Sequence, residues 1–453
     1  MKSLLITVSF SISLLLIVSC KKYLDVQPQN QISDEATIVD RASAEQALRG
    51  AYRSLGSGGY YGTSFQSIGY LAGDNIQWTG SQSQIEEFVN KNVRPENATI
   101  ASAWAAIYQT INRANHVIEK VPALTDPTVT ETIKKQILGQ ALFIRALAYF
   151  DLSRVWGGVP ILTKPTIKLN DNIRLKRATI TQTYDQITRD LDSAENYLPA
   201  TTNRYRATKK TVWALKARFN LYRGDWAKAE DFATRIINDN NYSLVTPYES
   251  LITTRGSQES VFEIYYNGTT ETNGHAAQWL PQNLGGTRQW APNSRFVALV
   301  NKSDTGGTRK VLVSRDAQNR NFGNLYRSIN ASPSYVIRIA ELYLIRAEAR
   351  ANQDKLYEAL EDLNAVRKRA ELKTLPLNST DVLTKAQILL SIEDERRIEF
   401  AFEPHRWFDL VRTDRAKDLF RVNNAPLPNW RYVLPIPANE RLKNPELEQN
   451  PNY

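Results

Sequence analysis

One helical segment occurs twice in this chain, and this repeat limits the possible folds more than any other feature. Residues 216–233 (KARFNLYRGDWAKAEDFA) align without gaps to residues 346–363 (RAEARANQDKLYEALEDL). The matched positions are Ala217 with Ala347, Trp226 with Leu356, and Ala229 with Ala359. Small residues at matched places let two consecutive helices approach closely, so each copy predicts a helix hairpin of the tetratricopeptide type.

Amphipathic helices are predicted elsewhere in the chain as well. Apolar residues recur at spacings of three and four within residues 101–120, 133–155 and 179–198. Trp213 and Trp226 belong to this helical pattern, and we interpret both as packing residues. The sequence therefore predicts an all-α fold built from tetratricopeptide-like helical repeats.

Two loop-rich insertions interrupt the helical pattern, at about 56–100 and 265–333. Both are rich in Gly, Asn, Thr and Ser and lack a sustained helical period. Irregular segments of this length inside a helical protein are usually functional loops, which predicts an irregular, loop-rich ligand-binding layer on the helices. The chain from residue 423 onward is rich in proline and predicts an extended tail laid over the surface.

The N-terminus has the order of an export signal. Lys2 precedes an uncharged, mostly apolar stretch, residues 4–18, followed by Ser19 and the only cysteine, Cys20. As a helix this stretch would span about 22 Å, too short for a hydrocarbon core of about 30 Å. The segment resembles a bacterial lipoprotein signal, which implies a signal peptide over residues 1–19, lipid on Cys20, and a single domain over residues 20–453. An ordinary signal peptide with an incidental cysteine is the alternative.

Charge and motifs argue against several classes of function. The net charge is +10, but the 57 basic residues are interleaved with 47 acidic ones, so no nucleic-acid partner is expected. The three histidines, His116, His275 and His405, lack metal-ligand spacing, and we expect neither a metal nor a cofactor. The sequence also lacks the GxSxG, Walker and GxGxxG motifs.

The charged segment at residues 395–412 could suggest acid–base catalysis. Helical spacing, however, lets Glu393 face Arg397 and Glu399 face Arg396. Carboxylates matched to arginines stay ionised and make poor general acids, so we expect structural ion pairs and no enzymatic activity.

Three tryptophans fall in the loop-rich insertions and are candidates for binding a sugar. A pyranose ring needs a flat aromatic platform flanked by hydrogen-bonding side chains. The candidate ligand-binding residues are Asp74, Asn75, Trp78, Trp279, Arg288 and Trp290. The alternative is that these tryptophans only pin the loops onto the helices.

Several segments together resemble the SusD/RagB family of outer-membrane lipoproteins. They are, in chain order, LDVQPQN after the cysteine, LRGAY at 48–52, AGDN at 72–75, ALFIRALAYFDLSRVWGGVPI at 141–161, YVIRIAELYLIRAEA at 335–349, ERRIEFAFEPHRWFDLVR at 395–412, and YVLPIPANERLKNPELEQNPNY at 432–453. The resemblance implies a tetratricopeptide-based fold, and it implies that the protein is located on the cell surface of Bacteroidetes-type bacteria. Pro404, where members more often have glycine, departs from the family and puts the local helix path in question.

The resemblance also implies a function: capture of glycans, or in some members peptides, as a lid over a SusC-like TonB-dependent transporter. We therefore expect a non-enzymatic, lipid-anchored protein of the outer membrane that faces the cell exterior and binds a glycan or oligosaccharide. Peptide capture, a structural lid without its own ligand, and a glycoside hydrolase remain as alternatives.

Overall fold

The computed structural model describes residues 37–168, 171, 174–330, 332–377, 383–422 and 424–453. The expected signal peptide and Cys20 lie outside these residues. The helices, in chain order, are α1 (Arg41–Leu55), α2 (Ser64–Leu71), α3 (Ser83–Val89), α4 (Ala98–Lys120), α5 (Glu131–Trp156), α6 (Ile180–Tyr197), α7 (Lys209–Arg223), α8 (Trp226–Ile237), α9 (Glu249–Thr253), α10 (Gly274–Trp279), α11 (Ser294–Asn301), α12 (Ile339–Asn352), α13 (Leu356–Arg369), α14 (Lys385–Glu399), α15 (Arg406–Arg412), α16 (Ala416–Leu419) and α17 (Ala438–Lys443).

The strands are short and pair antiparallel in twos. They are β1 (Ile76–Trp78) with β3 (Trp290–Pro292), β2 (Ser260–Ile264) with β6 (Ser334–Arg338), β4 (Val313–Arg315) with β5 (Asn321–Gly323), and β7 (Arg421–Val422) with β8 (Ala425–Pro426). Strands of two to five residues carry too little periodicity to be recognised in a sequence, and the sequence did not indicate them.

The three long helices predicted from periodicity are confirmed as α4, α5 and α6. Side-chain caps explain where they begin. Asn97 accepts a hydrogen bond from the backbone N–H of Thr99, and Thr179 forms a capping box with Gln182. These caps satisfy backbone donors that would otherwise lack partners at the helix starts.

The internal repeat forms two helix hairpins, α7–α8 and α12–α13, as predicted. The four repeated alanines, Ala217, Ala229, Ala347 and Ala359, are fully buried. Helix α8 also packs against α12, so the two hairpins stack on each other. The all-α, tetratricopeptide-like fold is therefore confirmed, and Trp213 and Trp226 pack against the core as expected.

The turns of the two hairpins are also equivalent. Gly224 has a φ of 70° between α7 and α8, and Asp354 has a φ of 62° between α12 and α13. Residue 354 lies at the position that the repeat matches to residue 224. The left-handed conformation suits glycine, and a short acidic side chain tolerates it.

The C-terminal segment is packed more deeply than the sequence suggested. Leu427, Leu434, Ile436 and Leu447 are buried, and the indole Nε1 of Trp156 donates to the carbonyl of Pro435 over 3.0 Å. The prediction of a tail lying over the surface was wrong in this respect, because alternate apolar residues of the segment enter the core.

Buried ion pairs join the last helices to the β2–β6 pair. Arg338 lies 2.6 Å from Glu259, 2.9 Å from Glu399 and 2.6 Å from Glu403. Arg309 pairs with Glu395 over 2.7 Å. Buried charges are tolerated only when paired and hydrogen-bonded, so this network is structural, as predicted.

Two ion pairs expected from helical spacing have other partners in the structure. Arg396 contacts Asp409 over 2.8 Å in place of Glu399, and Arg397 contacts Asp74 over 3.2 Å in place of Glu393. These side chains face neighbouring elements instead of lying along their own helix. Spacing within one helix cannot reveal such tertiary partners.

Pro404 does not disturb a helix. It lies in the turn between the end of α14 and the start of α15. Gly69 in α2 packs so closely against this turn that a Cβ atom on it would lie 2.4 Å from the Cα of Pro404. Within the described ranges, no helix is both long and apolar enough to cross a membrane.

Candidate ligand-binding site

The β1–β3 pair brings the two loop-rich insertions together. Trp78 lies opposite Trp290 in the antiparallel register, and Ile76 lies opposite Pro292. Beyond the pair, the backbone N–H of Thr79 donates to the carbonyl of Gln289 over 3.0 Å. Residues more than 200 positions apart in the sequence thus form one continuous surface.

The structure buries two of the three candidate tryptophans. Trp279 is 0% exposed and Trp290 is 1% exposed. Their rings meet edge to face, with centroids 5.9 Å apart, and both contact Tyr70. Neither ring offers a face on which a sugar could stack, so the alternative interpretation, that they pin the loops onto the helices, fits both residues better.

His275 completes this aromatic cluster. The Nε1 of Trp279 donates to the Nε2 of His275 over 3.3 Å, and the hydroxyl of Tyr70 lies 3.2 Å from the same nitrogen. Burial lowers the pKa of His275 to about 3, so the ring is neutral at physiological pH. The cluster is therefore an uncharged support beneath the β1–β3 surface.

Asp74 and Asn75 are already engaged by arginines. Asp74 accepts hydrogen bonds from Arg406 over 2.7 and 3.0 Å. Burial opposes its ionisation, but the hydrogen bonds and charge of Arg406, with the charge of Arg397, lower the pKa of Asp74. Asn75 is fully buried and exchanges hydrogen bonds with Arg397. A direct ligand contact predicted for Asn75 does not fit its burial, since its amide holds the chain in place.

Asp74 also lines a pocket of about 510 Å³ with Lys91, Arg295 and Arg397. The ammonium of Lys91 lies 3.9 Å from the centroid of the Phe420 ring. Burial lowers the pKa of Lys91 to about 8, against the opposing charge of Asp74. This pocket does not include Trp78 or Arg288, so the six candidate residues do not form one site.

Trp78 and Arg288 remain at the surface. We call the surface formed by Gln77, Trp78, Thr79, Arg288 and Gln289 the Trp78 face. Trp78 is partly exposed, and Gln77 and Thr79 beside it are exposed. Trp78 packs against the core with its Nε1 buried and part of its ring exposed, and Gln77 projects to the opposite side of the strand. The segments of the face thus supply a partly exposed indole together with amide, hydroxyl and guanidinium groups, the types of group that sugar recognition requires.

Hydrogen bonds hold the Trp78 face in position. The guanidinium of Arg288 donates to the carbonyl of Asn321 over 3.0 and 2.9 Å, and the hydroxyl of Thr79 donates to the carbonyl of Arg288 over 2.8 Å. Gly80 approaches Gln289 so closely that a Cβ atom would lie 1.8 Å from its side-chain oxygen. Such preorganisation reduces the entropy lost on binding.

The sequence did not indicate a second concave region. A cleft of about 1200 Å³ lies between α1, α4, the segment around Tyr205 and the end of β2. Its residues come from four separated parts of the chain, and its exposed aromatic residues are tyrosines, not the tryptophans that the sequence predicts as platforms. The sequence feature that could have indicated this cleft is the pair Tyr205 and Tyr265, two tyrosines outside the helical pattern.

Comparisons with known proteins agree with this architecture. A family model described as "Starch-binding associating with outer membrane" matches residues 22–221, and a model of the SusD family matches residues 261–427. SusD-like protein P38 of Formosa agariphila is 28% identical, in an alignment covering 100% of this chain and 99% of the relative.

Solved structures show the same fold. A SusD superfamily protein from Bacteroides vulgatus superimposes with a TM-score of 0.78 at 24% identity, covering 92% of this chain and 100% of the other. A laminarin-binding SusD-like protein superimposes with a TM-score of 0.77 at 22% identity, again covering 92% of this chain and 100% of the other. The family models match most of the chain, a relative aligns along its whole length, and the solved structures share its architecture. The chain therefore belongs to the SusD/RagB family.

Proposed function

We propose that this protein captures oligosaccharides at the cell surface and delivers them to a SusC-like TonB-dependent transporter. Family membership supports a binding role, and one structural relative is named for binding laminarin, a glycan. The protein works by selective binding and release, without catalysing a reaction. The alternatives are peptide capture and a structural lid without its own ligand. Binding measurements with oligosaccharides and peptides distinguish them from this proposal.

The observation that carries the proposal is the Trp78 face. Its partly exposed indole lies on a short strand pair, opposite Trp290 of the buried aromatic cluster, and Arg288 and Gln289 precede Trp290 in the chain. A sugar ring can place its C–H face on the indole while its hydroxyl groups bond to the neighbouring amide and guanidinium. The rigid helical repeats hold this surface in one geometry.

Binding to a panel of laminarin, starch and xylan oligosaccharides, and to peptides, tests the proposal. We expect saturable binding to one neutral glycan, and a Kd at least about tenfold higher for Trp78→Ala because the stacking platform is removed. Trp430→Ala is the matched control, since Trp430 is also partly exposed and packs against Tyr453 in the C-terminal segment. Glycan binding that survives Trp78→Ala unchanged would contradict the site. Binding of peptides alone would select the peptide alternative, and no binding to any probe would select the lid without a ligand.

We further propose that the mature chain begins at Cys20, folds as a single domain and carries lipid on this cysteine. Acyl chains would hold the protein on the outer membrane, facing the exterior, with each buried CH₂ contributing about 0.8 kcal/mol. Cys20→Ala is expected to abolish incorporation of labelled palmitate and to release the protein from the membrane fraction. Retention of label by the variant would refute this assignment.

Delivery requires contact with the transporter. We propose that the helical repeats provide the docking surface, and that ligand affinity is modest because release must follow capture. Co-purification of the lipid-anchored protein with a TonB-dependent transporter from its own membranes tests the partnership. Purification of the protein alone under mild detergent conditions would argue against it.

A further inference from the structure

The cleft of about 1200 Å³ shares no lining residue with the Trp78 face. We call it the arginine–tyrosine cleft, after its residues Arg49, Arg113, Tyr205, Arg206 and Tyr265. Helices α1 and α4 form one side, and residues 205–206 with the end of β2 and residues 265–272 form the other. Its volume exceeds that of a typical small-molecule pocket and accommodates several sugar rings.

The cleft has a surplus of positive charge. Arg113 donates to the carbonyl of Gly50 over 2.9 Å, and the guanidinium of Arg206 lies 4.3 Å from the centroid of the Tyr52 ring. Within the described part of the chain, neither arginine has a carboxylate within 4.0 Å. Arg49 reaches Glu45 only at 4.0 Å. These guanidinium groups are thus available to an anion.

Two carboxyl groups line the cleft, and neither offsets this surplus. Glu271 pairs with a fourth arginine, Arg53, over 2.9 Å. Glu263 is 1% exposed, and its Oε1 accepts a hydrogen bond from the backbone of Gly256 over 2.7 Å. Burial raises the pKa of Glu263, which favours its neutral form. The remaining field in the cleft is positive.

Two exposed tyrosines give the cleft a surface for stacking. Tyr205 is 37% exposed and Tyr265 is 47% exposed, and their rings meet edge to face with centroids 5.5 Å apart. Arg255 lies 5.1 Å from the centroid of the Tyr265 ring on the same side of the molecule. Exposed Gln46 and Gln109 add hydrogen-bonding groups. Aromatic rings, amides and unpaired guanidinium groups therefore converge on one opening.

We propose that the arginine–tyrosine cleft is a second binding site, specific for acidic oligosaccharides that carry uronate or sulfate groups. The tyrosines stack on sugar rings, and Arg113 and Arg206 bind the anionic substituent by charge-assisted hydrogen bonds. The identification of the ligand as a saccharide rests on the proposed function. The preference for an anion rests only on the charge of the cleft. A carboxylate and a sulfate present the same oxygen chemistry, so both belong in the test.

Three probes test the site with the lipid-free protein: a galacturonic acid tetrasaccharide, its carboxyl-reduced counterpart, and a sulfated galactose tetrasaccharide. We expect at least one acidic probe to bind with a Kd about tenfold or more below that of the reduced probe. Rising NaCl concentration should weaken acidic binding, because salt screens exposed charges. Equal affinity of the wild-type protein for the reduced probe and both acidic probes would overturn the proposal.

Protein variants locate the binding. Arg113→Gln and Arg206→Gln should each weaken binding of the acidic probe about threefold or more, while leaving neutral glycans unaffected. Arg189→Gln, at an exposed position of α6 away from the cleft, makes the same change in charge and should leave the Kd unchanged. An equal effect of all three variants, or no effect of any, would overturn the assignment.

The outcome also separates this site from the Trp78 face. Acidic binding that survives Trp78→Ala supports an independent cleft, and acidic binding lost with Trp78→Ala overturns it. Loss of neutral binding in Trp78→Ala concerns only the proposed function. A negatively charged peptide that binds the cleft when neither acidic saccharide does would overturn the choice of ligand class.

Discussion

His275 lies in a wholly uncharged setting, and this determines its behaviour. It is fully buried among Tyr70, Trp279, Trp290 and Tyr326. Burial alone accounts for its lowered pKa. In the unfolded chain the same imidazole returns to its ordinary pKa of about 6.5. The folded and unfolded states therefore bind protons differently over the range between about 3 and 6.5.

This difference predicts a loss of stability in acid. Above pH 6.5 the imidazole is neutral in both states, and below it only the unfolded state gains a proton, so stability falls as the pH drops toward 3. The contribution of His275 between pH 7 and pH 5 is about 2 kcal/mol. Urea unfolding at pH 8 and pH 5 measures it. His275→Gln should lower stability at pH 8 and flatten the difference between the two pH values.

Wild type and variant both retain the buried His405. Burial lowers the pKa of His405, and the charge of Arg218 lowers it further. The difference between the two proteins therefore isolates His275. Identical pH dependence in both would contradict the prediction. Such a result would mean that the ring is hydrated or charged in the native state.

At the scale of elements, small residues decide how closely the repeated helices pack. Ala229 on α8 is fully buried, and α8 lies between its partner α7 and the first helix of the second hairpin, α12. Close-packed interiors have little free volume for extra methyl groups. The small side chains of the repeat alanines thus determine how closely these helices approach one another.

Ala229→Leu should separate these helices. Overpacking is expected to lower the free energy of unfolding by about 1–3 kcal/mol, measured by urea denaturation. Ala227→Leu on the same helix is the matched control, because Ala227 is exposed and alanine and leucine have similar helix propensities. Equal stability of the two variants would show that α8 can shift without cost and would refute the argument.

At the scale of the whole molecule, the C-terminal segment ties distant helices together. The amide nitrogen of Asn450 donates to the carbonyls of Trp156 over 3.2 Å and Leu434 over 2.6 Å. Its side-chain oxygen accepts a hydrogen bond from Arg177 over 2.8 Å. One buried amide near the chain end therefore joins the end of α5, the segment before α6 and the C-terminal segment itself.

Removing this amide should loosen the C-terminal segment. Asn450→Ala leaves the carbonyl of Leu434 without its donor, whereas the carbonyl of Trp156 keeps a hydrogen bond from Arg177 over 3.0 Å. The change is expected to cost about 1–3 kcal/mol. Hydrogen exchange should show faster opening around residues 434–447. Glu448→Ala, at an exposed position two residues away, is the control and should match wild type. Unchanged protection in Asn450→Ala would mean that apolar burial alone holds the segment.

The sequence by itself determined the helical repeats. Periodicity and matched alanines act over a few turns of helix, so α4, α5, α6 and the two hairpins could be predicted from local pattern. The pairing of arginines with carboxylates around residues 395–412 was also predictable, since both charges occur together there, but the partners of Arg396 and Arg397 were not. The family resemblance rested in part on these segments, at 141–161 and 335–349, and otherwise on motifs elsewhere in the chain.

Only the tertiary structure decided the binding surfaces. Trp78, Trp279 and Trp290 have similar loop sequences around them, yet Trp78 on β1 stays partly exposed while Trp290 on β3 and Trp279 on α10 are enclosed. The arginine–tyrosine cleft likewise takes residues from four separated segments. Exposure and the pairing of charges depend on contacts between residues far apart in the chain, and no local pattern records those contacts.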